Sequence, residues 1–256
     1  MGDMELSVGL AVLLAATGLS AGFVDAIAGG GGLIALPVLL SIGLPPQMAL
    51  GTNKLQGTFG TLSSSYHFFR KGQVDLVHAL PGILYTFAGA ALGTVVVQRV
   101  NPAFLGRLVP LLLGGVLAYT LLVKEMGVAE RPPKVPHGGF YLVFGLGLGF
   151  YDGFFGPGTG SFWMAGFCIF LGFDMRRSAG FTRTMNFTSN VVSLALFVIG
   201  GNVLYPVGLI MAGGQFVGAR LGSGLAIKNG PRFIRPIFII VVAATVGRLI
   251  YLNYFA

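Results

Sequence analysis

Residues 22–32 read GFVDAIAGGGG, which places one carboxylate, Asp25, and then four consecutive glycines inside a long apolar run. A related stretch, residues 149–161, reads GFYDGFFGPGTGS and carries Asp152. Neither stretch can continue as a regular helix, because glycine loses much backbone entropy on ordering and Pro157 lacks an amide hydrogen. In lipid, each backbone group freed by such a break needs a new partner. Two helix breaks at corresponding positions of a duplicated membrane protein are typical of a substrate site.

The composition indicates a membrane protein. The chain has 256 residues, of which 54% are hydrophobic and only 9% are charged, whereas about 25% of the residues of a soluble domain are charged. Residues 26–53 and 184–219 contain no Asp, Glu, Lys or Arg, and each exceeds the roughly 20 residues that cross a bilayer as a helix. We therefore predict an all-α polytopic membrane protein that contacts the lipid bilayer.

The net charge of +8 does not indicate nucleic-acid binding. The basic residues are spread over short connections, as is typical of loops at an anionic lipid surface, and they form no continuous basic face. The first apolar segment lacks a basic flank and a small-residue cleavage site, so we expect it to be retained. The single cysteine, Cys168, predicts no internal disulfide.

The sequence is internally duplicated. Asp152 follows Asp25 by 127 residues, and Arg183 follows Lys54 by 129. A stretch rich in prolines and charges, KEMGVAERPPKVPH, separates the two halves and reads as an exposed linker. We predict three units: a first transmembrane repeat over residues 1–123, a polar linker over residues 124–137 and a second transmembrane repeat over residues 138–256.

Each repeat contains four apolar elements, about eight in all, and the first element of each half is broken by glycines. The last element is predicted over residues 233–254. The pairs Gly89/Gly93 and Gly218/Gly222 have the spacing that lets membrane helices approach closely, and we expect them to pack the two halves together. Hydropathy does not decide whether the short piece after each break crosses the bilayer or turns back. Parallel and inverted repeats, and both orientations of the termini, therefore stay open.

Asp25 and Asp152 are the carboxylates of the two broken segments. An ionised carboxylate at membrane depth costs about 2.5–3.5 kcal/mol or more, so it normally faces a cavity or a partner. One interpretation makes them either proton-coupling sites or gate residues of the transport pathway. The other makes each of them a cap that accepts backbone amides freed at the glycine break. Both interpretations stay open.

Lys54 and Arg183 are corresponding cations, each beside hydroxyl and amide side chains. We expect them near helix starts, where free amides and the helix dipole bind anions, so that they form an anion cage between the halves. The alternative is that both cations extend to the lipid headgroups. The predicted substrate-binding residues are Lys54, Arg183, Thr52, Asn53, Gln56, Thr182, Asn186, Gln215, Arg220, Gly31 and Gly158.

Arg220 has no counterpart in the first half and interrupts an apolar helix, so it needs a partner, either Asp152 or the substrate. Asn190 and Gln215 are expected to add hydrogen bonds. The glycine runs fit no nucleotide-binding motif, and no serine or histidine lies in a hydrolase constellation. We therefore predict no catalytic residue, no metal site and no cofactor.

Four segments resemble the TauE/SafE sulfite exporter family. They are GFVDAIAGGGG (22–32), ALGTNKLQ (49–56), GFYDGFFGPGTGSF (149–162) and GQFVGARLGS (214–223). The resemblance implies a multi-pass secondary transporter of the bacterial inner membrane, mostly linked to sulfite, sulfonates and related sulfur oxyanions. Family members often carry lysine where this chain has Arg183, which keeps the charge and can bind an oxyanion in a two-pronged way.

The predicted function is export of a small anion through a central site between the repeats. Because the cell interior is negative, the membrane potential favours anion efflux by about 2.3 kcal/mol per charge per 100 mV. The alternatives are an anion channel, a carrier of another small metabolite coupled to protons through Asp25 and Asp152, and a membrane enzyme. A homo-oligomer is compatible with the sequence.

Overall fold

The computed structural model describes residues 7–122 and 130–229, with side chains placed as far as residue 115 and again from 130 to 228. Every regular element in these ranges is a helix, which confirms the all-α prediction. The predicted segment 233–254 lies outside the described residues. The helices are α1 (Val8–Ala28), α2 (Gly31–Ser41), α3 (Pro46–Arg70), α4 (Leu76–Arg99), α5 (Pro102–Leu122), α6 (His137–Phe140), a π-helical turn (Tyr141–Gly145), α7 (Leu146–Phe154), α8 (Thr159–Phe170), α9 (Met175–Ile199) and α10 (Tyr205–Asn229).

Both predicted helix breaks are present. Gly29 ends α1 with φ 81°, and α2 begins two residues later. Between α7 and α8, Gly156 has φ 98° and Gly158 has φ 83°. Only glycine adopts this left-handed backbone without a steric cost. The glycines therefore break the helices by turning the chain.

The glycine pair of α4 packs against α7. A Cβ atom on Gly93 would clash with the carbonyl oxygen of Phe150, and one on Gly89 would clash with the carbonyl oxygen of Leu146. The backbones of the two helices are therefore in direct contact, as in small-residue helix pairs of membrane proteins. This contact joins the first half of the chain to the second.

The glycine pair of α10 packs against α1 in the same way. Gly218 lies against the carbonyl oxygen of Leu19, and Gly222 lies against that of Phe23. The residue numbers on the two helices rise together, so α1 and α10 run parallel. The prediction that the glycine pairs pack the halves together is confirmed at both places.

The second break forms a re-entrant hairpin. The amide of Lys134 donates to the Phe170 carbonyl at 2.8 Å, and the amide of Arg131 donates to the Gly172 carbonyl at 2.8 Å. The residues just before α6 therefore lie against the end of α8. Because α6, the π-helical turn and α7 form one continuous helix, the chain runs into the bundle and α8 returns it to the end where it entered.

The two ends of the bundle are distinguished by α3. We call the end where α3 begins end A, and the opposite end, where α4 begins, end B. Helix α9 begins at end B, because Gly180 in its second turn packs against Val74 in the α3–α4 connection. A short connection joins α8 to α9, so the second hairpin, α6–α8, enters the bundle from end B.

The first hairpin, α1–α2, enters from end A. Helix α10 begins at this end, since the amide of Leu204 donates to the hydroxyl of Thr52 in the first turns of α3 at 3.0 Å. Helix α1 is parallel to α10 and so runs inward from end A. Helix α2 ends at Ser41, shortly before α3 begins, and returns the chain to the same end. The two hairpins therefore enter from opposite ends.

The outer surface of the bundle is apolar. Helices α1 and α4 are long and apolar enough to cross a membrane, and α2, α8 and the segment Pro102–Gly115 are shorter apolar helices. Exposed side chains along α4 include Leu84, Phe87 and Leu92. Large exposed apolar surfaces of this kind mark contact with lipid or another protein.

Candidate functional site

The tips of the two hairpins meet in the centre of the bundle. The hydroxyl of Ser161 donates to the carbonyl of Ala28 at 2.7 Å. Gly29 packs so closely against Gly160 that neither position has room for a Cβ atom. The two helix breaks, more than a hundred residues apart in the sequence, are therefore neighbours in space.

A central cavity of about 30 Å³ lies between the tips. This volume has room for about two water molecules. Its wall combines exposed backbone of the glycine breaks with charged and amide side chains. The lining residues are Asp25, Gly29, Gly32, Asn53, Lys54, Gln56, Gly57, Asp152, Gly156, Gly158, Gly160, Asn186, Asn190 and Gln215.

Lys54 and Asp152 form the first of two buried ion pairs. The Nζ atom of Lys54 donates to Oδ1 of Asp152 at 2.6 Å and to Oδ1 of Asn190 at 3.2 Å. The second carboxylate oxygen of Asp152 accepts from the hydroxyl of Ser189. The side chains of the pair are only 2% and 6% exposed. Both charges are thus desolvated and both are hydrogen-bonded.

Arg183 and Asp25 form the second pair. Nη1 of Arg183 donates to Oδ2 of Asp25 at 3.1 Å and also to its backbone carbonyl. Oδ1 of Asp25 accepts from the amide of Gly31 at 3.1 Å, so Asp25 caps the start of α2, as one of the two interpretations expected. The guanidinium is fully buried, whereas the Asp25 side chain is 13% exposed.

The remaining nitrogens of Arg183 distinguish the second pair. Nε and Nη2 are buried and have no hydrogen-bond partner in the part of the chain that the structure describes. These two atoms form one edge of the planar guanidinium group, which binds carboxylates and other oxyanions through two parallel hydrogen bonds. Arg183 therefore keeps an oxyanion-binding edge unused while it holds Asp25.

The two ion pairs connect the halves crosswise. Asp25, at the tip of the hairpin from end A, reaches Arg183 on α9, which begins at end B. Asp152, at the tip of the hairpin from end B, reaches Lys54 on α3, which begins at end A. The Asp25–Arg183 pair therefore lies nearer to end B, although Asp25 enters from end A. The Asp152–Lys54 pair lies nearer to end A, although Asp152 enters from end B.

The expectation that Lys54 and Arg183 stand near helix starts is wrong. Each lies about two turns inside its helix, α3 or α9, and roughly 12 Å from the helix start. The helix starts that meet near the cavity are those of α2 and α8. Both cations are also paired with carboxylates, because an unpaired buried charge would cost several kcal/mol. An open cage of two free cations is not what the structure shows.

The structure brings together most of the other predicted site residues. Asn53, Gln56, Asn186, Gln215 and Gly158 line the central cavity. Buried side-chain oxygens of Gln56, Asn186 and Gln215 lack a partner among the described residues. The wall of the cavity therefore offers hydrogen-bond acceptors as well as donors.

Five predicted residues do not line the cavity: Gly31, Thr52, Thr182, Arg183 and Arg220. Gly31 and Arg183 lie beside it, since both donate to Asp25, which is part of the lining. The Thr52 hydroxyl accepts from the amide of Leu204, and Thr182 is buried outside the lining. Arg220 does not contact Asp152. Its exposed guanidinium contacts the ring of His67 instead, because Arg220 lies on the outer face of α10.

Sequence reasoning missed Ser189, which holds Asp152, and Gly57, which lines the cavity. A signal for this face of α9 was present. Asn186 and Asn190 are four residues apart and so lie on the same side of the helix, and Ser189 is three residues after Asn186. Extending the polar face of α9 by one turn would have found it.

Comparisons with known proteins identify the family. Residues 14–249 match the sequence model of the family described as sulfite exporter TauE/SafE. A probable membrane transporter protein of Haemophilus influenzae is 41% identical over 252 residues, 97% of each chain. The probable membrane transporter protein YfcA of Escherichia coli is 40% identical over 231 residues, 90% of this chain and 86% of its own. No solved structure matches the chain. The protein belongs to the TauE/SafE sulfite exporter family and is a membrane transporter.

Proposed function

We propose that the protein is a secondary transporter that exports a small oxyanion, such as sulfite, a sulfonate or a related sulfur oxyanion, through the central cavity. The unused Nε and Nη2 edge of Arg183 carries this proposal. A planar guanidinium edge matches an oxyanion that offers two oxygen atoms. In the cavity wall, further polar groups come from Asn186 on the same helix and from the starts of α2 and α8.

The two halves are proposed to be inverted repeats that provide alternating access. Hairpins that enter from opposite ends and meet near the centre support this topology. In the cycle that we propose, the pair Lys54–Asp152 closes the path to end A and the pair Arg183–Asp25 closes the path to end B. The cavity is too small for a sulfur oxyanion in the observed state, so loading requires that one of the pairs opens.

The charges of the site set a condition for loading. The net charge of the two cations and two carboxylates is zero. An anion is therefore attracted to one of the cations only if it replaces the carboxylate that is paired with that cation. Asp25 is the more exposed of the two carboxylates, and we propose that the substrate displaces it from Arg183. Protonation of Asp25 would favour the same exchange, which would couple the substrate to a proton.

A second candidate function is proton-coupled transport of a small metabolite that carries hydrogen-bond donors. The unpaired oxygens of Gln56, Asn186 and Gln215 favour it, because they would accept from N–H or O–H groups of such a substrate. In that case Asp25 and Asp152 matter more for transport than Arg183.

We infer that the protein is a multi-pass protein of the bacterial inner membrane with end B in the cytoplasm. The re-entrant hairpins place most of the described basic loop residues at end B, whereas Arg99 and Arg107 lie near end A. Basic residues accumulate in cytoplasmic loops. Those at end B are Arg70, Lys71, Arg131, Lys134, Arg176, Arg177 and Lys228.

Flux of labelled sulfite in proteoliposomes tests the proposed function. Wild-type protein and Arg183→Ala are compared under an imposed membrane potential, with Arg99→Ala, an exposed arginine near end A, as the control. We expect saturable, potential-driven flux that Arg183→Ala loses and Arg99→Ala keeps. Flux that does not saturate would indicate a channel. Sulfite flux that is unaffected by Arg183→Ala would refute the oxyanion site, and a panel of neutral metabolites would then test the second candidate.

A further inference from the structure

A second cavity, separate from the central one, opens at end B. Its volume is about 260 Å³, which is far more than the central cavity offers. Four segments build it: the first turn of α4, residues 130–133, the start of α6 and the α8–α9 connection with the first turn of α9. Its charged and aromatic lining consists of His78, Glu130, Arg131, His137, Phe173 and Arg177. We call it the end-B pocket.

The walls of the end-B pocket are held in place by defined contacts. The backbone bond from Arg131 to Gly172 fixes residues 130–133 along one side. The rings of His137 and Phe173 lie 6.3 Å apart. The guanidinium of Arg177 stacks over the Phe173 ring at 4.1 Å. The pocket is therefore a shaped depression in which Arg177 is held against the Phe173 ring.

The charges in the pocket are predominantly basic and incompletely paired. Arg177 donates to Glu130 at 3.2 Å, and His78 contacts Asp75 at 2.7 Å. The guanidinium of Arg131 has no side-chain partner among the residues that the structure describes. Two guanidinium groups thus face the carboxylate of Glu130, and the ring of His137 offers a further hydrogen-bond donor, whereas His78 is already bonded to Asp75. This combination favours an anionic ligand.

We propose that the end-B pocket binds a phosphate-type anionic group through Arg131, Arg177 and His137. Guanidinium groups bind phosphate oxygens through pairs of hydrogen bonds. The same chemistry is offered by an anionic lipid headgroup and by a soluble phosphate. The site does not depend on the function of the central cavity, because no residue is shared between the two.

Thermal unfolding of the purified full-length protein tests this site in two arms. In the first arm, inorganic phosphate replaces chloride at constant ionic strength in a neutral detergent. In the second, nanodiscs of phosphatidylcholine contain increasing fractions of phosphatidylglycerol. A ligand that binds the folded state raises the unfolding temperature. Each arm uses wild type, Arg131→Ala and the control Arg99→Ala, and both substituted side chains are exposed, so both variants should fold.

We expect that the concentration of phosphate, or the fraction of anionic lipid, needed for half of the stabilisation rises about tenfold in Arg131→Ala, the effect of one lost charge-assisted hydrogen bond. Arg99→Ala should respond like wild type. A response in the phosphate arm identifies a soluble ligand, and a response in the lipid arm alone identifies a headgroup. Equal loss in both variants, or no effect of Arg131→Ala in either arm, would overturn the proposal.

Discussion

The two buried ion pairs have the same charges at corresponding positions of the two halves, yet they differ in how fully they are bonded. Lys54 has two acceptors and Asp152 has two donors, so this pair has bonded both of its carboxylate oxygens and lies almost entirely out of solvent. Arg183 donates from one nitrogen to Asp25, and its two other nitrogens have no partner among the described residues. Asp25 also faces the cavity more openly.

Corresponding ion pairs of the two halves can therefore have different roles. Lys54 uses two of its three ammonium donors and Asp152 uses both carboxylate oxygens, so this pair holds two helices together and has little left to offer a ligand. A pair with unused donors has room for a competitor that offers more acceptor oxygens than Asp25. We therefore assign a mainly structural, gate-closing task to Lys54–Asp152 and substrate binding to Arg183–Asp25.

The largest effect is expected from Lys54→Met. The variant leaves the Asp152 carboxylate buried without its cation, which costs about 3–5 kcal/mol when one partner of a buried pair is removed. Thermal unfolding in detergent measures the loss. The double variant Lys54→Met/Asp152→Asn removes both charges and should regain most of the stability. Should the single variant be as stable as wild type, the pair is not the structural lock described here.

Arg183→Lys separates charge from geometry at the second pair. Lysine keeps the positive charge and can still pair with Asp25, but it lacks the second edge of the guanidinium group. The initial rate of sulfite flux should fall roughly ten- to a hundredfold, the effect of losing about 1.5–3 kcal/mol of charge-assisted hydrogen bonding. Arg99→Lys is the matched control. A flux in Arg183→Lys equal to that of wild type would show that charge alone suffices.

Gly222→Ala tests the helix contact that supports the first hairpin. A methyl group there would clash with the carbonyl oxygen of Phe23, and overpacking of this kind costs about 1–3 kcal/mol. Gly224→Ala on the same helix meets no atom of the described residues within 4 Å and should be neutral or slightly stabilising, since alanine favours helix. Unfolding temperatures of the two variants measure the difference. Equal values would argue against the close contact of α1 with α10.

The smallest effect is expected at the exposed pair Asp75–His78, outside the buried site. The hydrogen bond from His78, followed by that from the Val77 amide, lowers the pKa of Asp75 from its ordinary value of 3.8. Because the pKa of Asp75 is lowered in the folded state, the contact stabilises the protein fully at pH values above 3.8. This stabilisation is lost as the pH falls through the lowered pKa. The difference in unfolding temperature between wild type and Asp75→Asn should therefore be small at pH 6 and vanish in strong acid. A difference as large as that of Lys54→Met would contradict the contrast between buried and exposed pairs.

The helix breaks and the close helix contacts were readable from the sequence because they depend on local properties. Gly29 and Gly158 need a left-handed backbone, and the glycine pairs four residues apart lie on one helix face. Most of the cavity lining was also predictable, because amides such as Asn53 and Asn186 are costly in lipid unless they face a polar site. An amide side chain inside a long apolar segment can therefore be recognised from the sequence alone as a candidate site residue.

The pairing of charges and the direction of the hairpins were not predictable. Asp25 pairs with Arg183, which is 158 residues away, and this choice depends on how the halves cross. Hydropathy reports how long an apolar segment is but not whether the chain turns back at a break. Orientation stayed open for the same reason, since the basic loops gather at end B only once both hairpins are known to be re-entrant.

Equilibrium binding of sulfite to wild-type protein, Arg183→Lys and Asp25→Asn in detergent shows whether the substrate takes the place of the Asp25 carboxylate on Arg183. Asparagine keeps an oxygen that accepts from the Gly31 amide, but it removes the charge that competes with the substrate for Arg183. The account predicts tighter binding in Asp25→Asn and weaker binding in Arg183→Lys. Unchanged or weaker binding in a folded Asp25→Asn protein would contradict it, because the oxyanion would then not take the place of the Asp25 carboxylate.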